Sequence, residues 1–249
     1  MIRSILTVVA FMSTVISAQT ITLSADVWEP YNGKPESAKP GYAVEMIKTI
    51  FAKKGITVNY TVLPWARAVD AASKGEIAGV FGALTDDAPG FVFPKEEINV
   101  SRSSFITVKS GSWNYEGIES VKKIKIGAVA DYSYFDEIDS YFETAIAPSV
   151  QKMSGDNPLD QNFKKLVAGR IDVLIEDANV IDFYLASTKQ AALIRKAGTV
   201  GNEKIFIAFS PKNPKSAEYA KILDEGIVEM RKNGQLKALL ANYGLSDWK

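Results

Sequence analysis

The hydrophobic positions of this 249-residue chain change their period several times, and each change marks a secondary-structure element. Residues 41–82 show it most clearly, with helical spacing of the apolar residues Val44, Ile47, Ile50 and Phe51. Residues 56–62 then alternate apolar and polar positions, as a half-buried strand does. A second helix follows Pro64 and ends at Gly75, and residues 77–81 are typical of a short buried strand. This order predicts a mostly parallel sheet flanked by helices.

The remainder of the chain repeats the same alternation. Strands are predicted at residues 21–27, 105–108, 124–129, 170–175 and 205–209. Helices are predicted at residues 132–144, 158–169, 179–187, 215–233 and 235–243. Residues 91–100 show no regular period. The chain is therefore predicted to have an α/β fold.

The first 18 residues have the pattern of a secretory signal peptide. Arg3 precedes an apolar run over residues 5–16, and Ser17 and Ala18 are small enough for cleavage after Ala18. A membrane anchor is the alternative, but the run is shorter than the roughly 20 residues that a spanning helix needs. We therefore expect export to the periplasm.

The composition excludes several kinds of chemistry. There are 29 basic and 29 acidic residues, so no net field attracts nucleic acid, and no nucleic-acid partner is expected. The chain has no histidine, which removes a Ser-His-Asp triad and the commonest zinc ligand. It also has no cysteine, so a lipid anchor on cysteine is excluded. We predict no cofactor and no metal.

Candidate binding residues follow from the rule that open α/β sheets bind ligands beyond the carboxyl ends of their strands. Trp28 and Tyr31 follow the first strand, and they are placed either to sandwich a planar or apolar ligand group or to pack in the core. Trp65 has the same two interpretations. The turn after the third strand adds Gly82, Leu84 and Thr85.

The charged and hydroxyl-bearing candidates each have two interpretations. Arg67 either clamps a ligand carboxylate or pairs with Asp70 on an exposed face. Asp177 either binds a ligand ammonium group or caps the following helix. Tyr132 and Ser133 open a predicted helix whose free N–H groups would suit an anion, although Ser133 is equally suited to capping alone.

Several short motifs, in this order and spacing, resemble those of extracytoplasmic solute-binding proteins of family 3, the polar-amino-acid-binding components of ABC importers. The resemblance covers nearly the whole chain after residue 18. It rests on WEPY at 28–31, GYAVEM at 41–46, PWARA at 64–68, KGEI at 74–77, KIGAV at 125–129, LVAGRIDVLIED at 166–177, IAFSPKN at 207–213 and NGQL at 233–236.

The resemblance implies a two-lobe periplasmic-binding-protein fold of type II, with two hinge crossovers and the ligand in the cleft between the lobes. The implied first lobe comprises residues 19–109 and 206–249, and the second comprises residues 110–205. It also implies a monomer that captures a small polar solute, an amino acid or a related amine or carboxylate. The implied partner is an ABC permease or a membrane sensor.

The chain departs from the family pattern at one informative position. In the family, an arginine three residues after the threonine of this loop grips the ligand's α-carboxylate, but here Thr85 is followed at that distance by Ala88. Arg67 or Arg102 is a possible substitute. A cationic or neutral ligand is the other possibility, because Asp86 and Asp87 add negative charge nearby.

An enzyme on the same scaffold is the alternative to a binding protein. Exported cyclohexadienyl (arogenate/prephenate) dehydratases resemble this family, and acid catalysis would rest on carboxylates such as Glu29, Glu176 and Asp177. No motif requires catalysis, so we expect a binding protein rather than an enzyme. A sensor partner without transport is a third possibility.

Overall fold

The computed structural model describes residues 19–155 and 157–249. The predicted signal peptide, residues 1–18, lies outside the described residues. Within the described ranges, no helix is long and apolar enough to cross a membrane.

The described residues form eight strands and eight α-helices that largely alternate along the chain. The strands are β1 (Gln19–Ala25), β2 (Ile56–Val62), β3 (Gly79–Ala83), β4 (Asn99–Val108), β5 (Ile126–Val129), β6 (Val150–Met153), β7 (Val173–Asp177) and β8 (Ile194–Phe209). The helices are α1 (Tyr42–Ala52), α2 (Trp65–Lys74), α3 (Ile118–Val121), α4 (Asp136–Thr144), α5 (Pro158–Val167), α6 (Ala178–Thr188), α7 (Ser216–Lys232) and α8 (Gln235–Ala241).

The strand order β2-β1-β3-β8-β4-β7-β5-β6 divides the fold into two lobes. The first lobe contains the parallel strands β1, β2 and β3, and the second contains the parallel strands β5, β6 and β7. The two long strands β4 and β8 pair antiparallel and run from one lobe to the other. These are the two predicted crossovers, so the two-lobe α/β prediction is confirmed. The predicted lobe boundaries stay a prediction, and β4 already pairs with β7 from Ser103.

Apolar packing follows the predicted periods closely in the first lobe. The four apolar positions predicted for α1 are buried in a core that also contains β1, β2, α7 and α8. In β2, the side chains of Ile56, Val58 and Tyr60 point into this core. Val62, the last apolar position of that alternation, is 41% exposed because the strand ends there. The second lobe has separate apolar clusters on the two sides of its sheet.

The structure differs from the predicted elements mainly where strands are polar or short. β4 begins at Asn99, inside a stretch with no regular period, and β8 begins at Ile194, well before the predicted residue 205. The two extensions pair with each other, and Ser103 and Ser104 of β4 also pair with β7. α4 begins at Asp136 and not at residue 132, because the Asp139 carboxylate accepts hydrogen bonds from the backbone N–H groups of Tyr134 and Phe135.

Gly41 fixes the start of α1 against the turn that follows β1. Its φ is +109°, and a Cβ at this position would lie 2.3 Å from the Tyr31 carbonyl oxygen and 2.5 Å from the Asn32 Cα. The turn cannot easily move away, because that same carbonyl accepts the Ala43 N–H at 3.0 Å. Gly41 therefore permits the close contact between α1 and a turn that reaches the lobe junction.

We predict that Gly41→Ala lowers the unfolding free energy by at least about 3 kcal/mol, since it adds a steric clash to an unfavourable backbone conformation. Gly55→Ala is the matched control, because Gly55 also has a positive φ (+71°) but a Cβ there would meet no atom of the described residues within 4 Å. It should cost only about 1 kcal/mol. Urea unfolding of the two variants measures the difference, and equal losses would contradict the steric argument.

Candidate functional site

A cleft lies between the lobes, where the carboxyl ends of β1, β3 and β7 and the loop after β5 converge. Its free space is at most about 520 Å³, a volume that includes solvent at the open mouth. Both lobes and strand β4 contribute to its wall. The lining residues are Asp26, Trp28, Asn32, Trp65, Phe81, Gly82, Leu84, Asp87, Ser101, Ser103, Tyr132, Ser133, Tyr134, Glu176 and Asp177.

The turn after β1 presents an aromatic pair to the second lobe. The N–H of Trp28 donates to the Asn32 carbonyl at 2.7 Å, which closes the turn. The Trp28 and Tyr31 rings stack with their centroids 4.4 Å apart. The indole N–H of Trp28 then donates to Oε1 of Glu176 across the cleft at 3.1 Å. This hydrogen bond connects the two lobes.

Asp177, the last residue of β7, is surrounded by donors. Its Oδ1 accepts the backbone N–H groups of Asn179 (2.9 Å) and Val180 (3.2 Å), so it caps α6. The same oxygen accepts the Tyr31 hydroxyl of the first lobe at 3.0 Å, and Oδ2 accepts the Ser101 hydroxyl at 2.9 Å. The N-cap interpretation of Asp177 is therefore confirmed, and its carboxylate also links the lobes.

A third contact between the lobes lies beside Trp28. The Tyr132 hydroxyl, in the loop after β5, donates to Oδ2 of Asp26, just beyond β1. The Tyr132 ring also meets the Trp28 ring edge-on, with centroids 6.2 Å apart. Each of these three contacts between the lobes therefore pairs an aromatic residue with a carboxyl group.

The cleft is acidic, because Asp26, Asp87, Glu176 and Asp177 line it and no Lys or Arg of the described residues does. Burial raises the pKa of Glu176 to about 8, partly offset by the Asp177 N–H and the Trp28 indole. Burial also raises the pKa of Asp87 to about 6, with Asp139 and Asp86 adding repulsion. The pKa values of Asp26 and Asp177 are raised by the same desolvation. Such groups favour either a proton or a bound cation.

The structure brings together seven of the eleven residues predicted for the site: Trp28, Trp65, Gly82, Leu84, Tyr132, Ser133 and Asp177. Tyr31 is fully buried behind Trp28 and contacts the site through Asp177. The side chains of Arg67, Thr85 and Arg102 are exposed and do not line the cleft. Thr85 lines a neighbouring depression, and the Nε of Arg102 donates to the Asn202 side chain at 3.4 Å.

The structure corrects the helix start predicted at residues 132–133 and shows where residue 88 lies. Tyr132 and Ser133 do not open a helix, so they offer no helix N-terminus to an anion; the Ser133 hydroxyl instead donates to Asp139 at 2.6 Å. Ala88, the position of the missing arginine, is fully buried in an apolar cluster of the first lobe with Val80 and Phe91.

The three carboxylates considered for catalysis do not all line the cleft. Glu176 and Asp177 line it, whereas Glu29 lines an adjoining cavity to which Glu176 also contributes. Eight lining residues were not among the eleven predicted binding residues, although Asp87 was expected to add charge nearby and Glu176 was considered for catalysis. They are Asp26, Asn32, Phe81, Asp87, Ser101, Ser103, Tyr134 and Glu176.

Three of these omissions have two different causes. Asp26 was missed because the first strand was predicted to run to residue 27, whereas β1 ends at Ala25 and Asp26 therefore follows a strand end. Ser101 and Ser103 lie on β4, whose early start had no apolar signal.

No family model matches the sequence, and no curated protein matches it. Solved structures do match. An ABC uptake transporter substrate-binding protein from Streptococcus pneumoniae with bound histidine has a TM-score of 0.74 at 18% identity, covering 90% of this chain and 92% of that one.

A histidine kinase sensor domain with similarity to periplasmic binding proteins has a TM-score of 0.72 at 18% identity, covering 92% of this chain and 98% of that one. The ancestral amino-acid-binding protein AncCDT-1, a precursor of cyclohexadienyl dehydratase, has a TM-score of 0.70 at 16% identity, covering 90% and 95%. These likenesses show that the chain has the periplasmic-binding-protein fold.

The raised carboxyl pKa values give the ligand-free protein a defined pH dependence. Between the ordinary pKa of a Glu, 4.5, and about 8, Glu176 keeps its proton when folded and loses it when unfolded. The unfolding free energy should therefore fall as the pH rises from about 5 to about 8. We predict that Glu176→Gln flattens this fall, as measured by urea unfolding at a series of pH values.

The matched control is Glu143→Gln, which changes an exposed glutamate of α4. It should leave the slope as it is in the unsubstituted protein. An unchanged slope in Glu176→Gln would show that Glu176 is not the group that titrates in this range.

Proposed function

We propose that this protein is an extracytoplasmic solute-binding protein of the family 3 type, which captures a small polar solute in the cleft between its lobes. The solute is an amino acid or a related amine or carboxylate. The protein then delivers it to an ABC permease or reports it to a membrane sensor. Its place of action is the periplasm, in keeping with the predicted signal peptide.

The observation that carries this proposal is the way both lobes share one polar site. Trp28, Tyr31 and Asp26 of the first lobe are hydrogen-bonded to Glu176, Asp177 and Tyr132 of the second. A solute that contacts both walls would favour the closed arrangement of the lobes, because its binding energy depends on the distance between them.

The neighbouring structures support the proposal without separating transport from sensing. One is described as a transporter's substrate-binding protein and another as a histidine kinase sensor domain. Both roles need the same event, closure of the lobes on a solute. The membrane partner differs, and capture of the protein by an ABC permease or by a sensor kinase would distinguish the two.

The dehydratase alternative fits the cleft less well. Prephenate and arogenate are carboxylates, and a cation in the site would favour their binding. No Lys or Arg of the described residues lines the cleft, and the position of the family's arginine holds the buried Ala88. Glu176 is protonated at neutral pH, but a neutral carboxyl group does not replace the missing cation.

The test is a thermal-shift and calorimetric panel of amino acids, amines and small carboxylates on the mature protein. We expect at least one solute to raise the melting temperature and to bind with a 1:1 stoichiometry. Trp65→Ala should weaken that binding by about 10-fold, since an aromatic contact of about 1.4 kcal/mol is lost from the cleft wall.

Arg67→Ala is the matched control on the same helix, because Arg67 is exposed and outside the cleft. It should bind the solute as tightly as the unsubstituted protein does. If no solute of the panel binds, solute capture is wrong. If Arg67→Ala weakens binding as much as Trp65→Ala, the cleft is not the site.

A further inference from the structure

The carboxylates of the cleft differ in how far protein donors already satisfy them. Asp177 accepts four hydrogen bonds, from two backbone N–H groups and two hydroxyls. Asp26 accepts the Tyr132 hydroxyl on one oxygen, and Asp87 accepts the Leu84 N–H at 3.2 Å. No cation of the described residues lines the cleft beside them. The site therefore holds more negative charge than the protein compensates.

Asn32 provides a second, independent indication. It lines the cleft but is only 1% exposed. Its Nδ2 donates to the Asp26 carbonyl oxygen at 2.6 Å, which fixes the orientation of the amide, because the opposite orientation would place two acceptors together. Its Oδ1 then has no hydrogen-bond partner among the residues that the structure describes.

Neighbouring donors do not serve this oxygen. The nearby Tyr60 hydroxyl uses its one proton on the Gly33 carbonyl, at 2.9 Å. The oxygen lies on the Gly82 side of the cleft wall, 4.0 Å from where a Cβ on that glycine would be. A buried acceptor without a donor is destabilising, and a ligand N–H would supply the missing hydrogen bond.

We infer that the cleft selects small organic cations that carry a primary ammonium group and lack a carboxylate. This inference rests on the proposed function and names the ligand class of that same site. The ammonium N–H groups supply the donor for Asn32 Oδ1, and the positive charge compensates the carboxylates of Asp26 and Asp87. An ordinary amino acid offers the same ammonium group together with an anion.

The anion of an amino acid would meet no Lys or Arg of the described residues in this cleft. A bound carboxylate is normally held by a cation or by several N–H donors. Arg67 and Arg102 are exposed outside the cleft, and Ala88 is buried in an apolar cluster. The N–H groups of Tyr134 and Phe135 already donate to Asp139. A ligand carboxylate would instead meet the four acidic side chains.

The experiment compares ligands that differ only in the carboxylate. Calorimetry measures 1,5-diaminopentane against lysine, and agmatine against arginine, on the mature protein at fixed ionic strength. We expect each decarboxylated compound to bind at least about 10-fold more tightly than its amino acid, because like-charge repulsion is removed. The bis(trimethylammonium) analogue of the diamine should bind more weakly than the diamine, since it has no N–H to donate.

A matched pair of variants locates the effect in the cleft. Asp87→Asn removes a carboxylate of the cleft, and Asp86→Asn removes its exposed neighbour outside it. Asp87→Asn should weaken diamine binding several-fold, whereas Asp86→Asn should change it by less than about 2-fold. Equal effects of the two variants would overturn the electrostatic basis of the inference.

The remaining outcomes separate the ligand class from the function. If lysine and arginine bind as tightly as their decarboxylated partners or more tightly, the ligand class is wrong and solute binding stands. Equal binding of the trimethylated and primary diamines would overturn the donor role assigned to the ligand. If none of these compounds nor any amino acid or carboxylate of the panel binds, both proposals fail.

Discussion

The adjacent carboxyl groups of Glu176 and Asp177 are the point on which the arrangement of the two lobes depends. They end β7, and each accepts a hydrogen bond from an aromatic residue of the opposite lobe, Trp28 or Tyr31. Asp177 also caps α6 through two backbone N–H groups. These two neighbouring residues therefore end β7 and join the lobes, and Asp177 also caps α6. A change at either carboxyl group affects local structure and cleft geometry together.

Burial of these groups has an energetic consequence. Two neighbouring buried carboxylates repel each other and lose hydration, so they either bind protons or need a cation. Glu176, with a pKa of about 8, is neutral at pH 7. Its Oε1 can still accept from Trp28 in that state. The hydrogen bond that joins the lobes therefore does not require an ionised Glu176.

The sequence was sufficient to predict the scaffold because the scaffold is repetitive. Helical spacing in α1 and alternation in β2 were both confirmed, as was the N-cap role of Asp177. The early parts of β4 and β8 could not be predicted in this way, since their partners lie about 100 residues apart in the chain and their exposed faces are polar. Ser101 and Ser103 were missed for the same reason. Position in the sheet, and not local period, brings them to the cleft.

The amino-acid composition also could not predict the charge of the cleft. The chain as a whole is neutral, with 29 residues of each sign, yet the cleft collects four carboxylates and the described Lys and Arg residues lie elsewhere. The substitution at Ala88 indicated a missing clamp but left Arg67 and Arg102 as replacements. Their exposed side chains remove the geometric reason for that role. The buried, unsatisfied Oδ1 of Asn32 then favours a ligand that carries an N–H donor over one that carries an anionic group. No sequence pattern distinguishes a satisfied amide from an unsatisfied one.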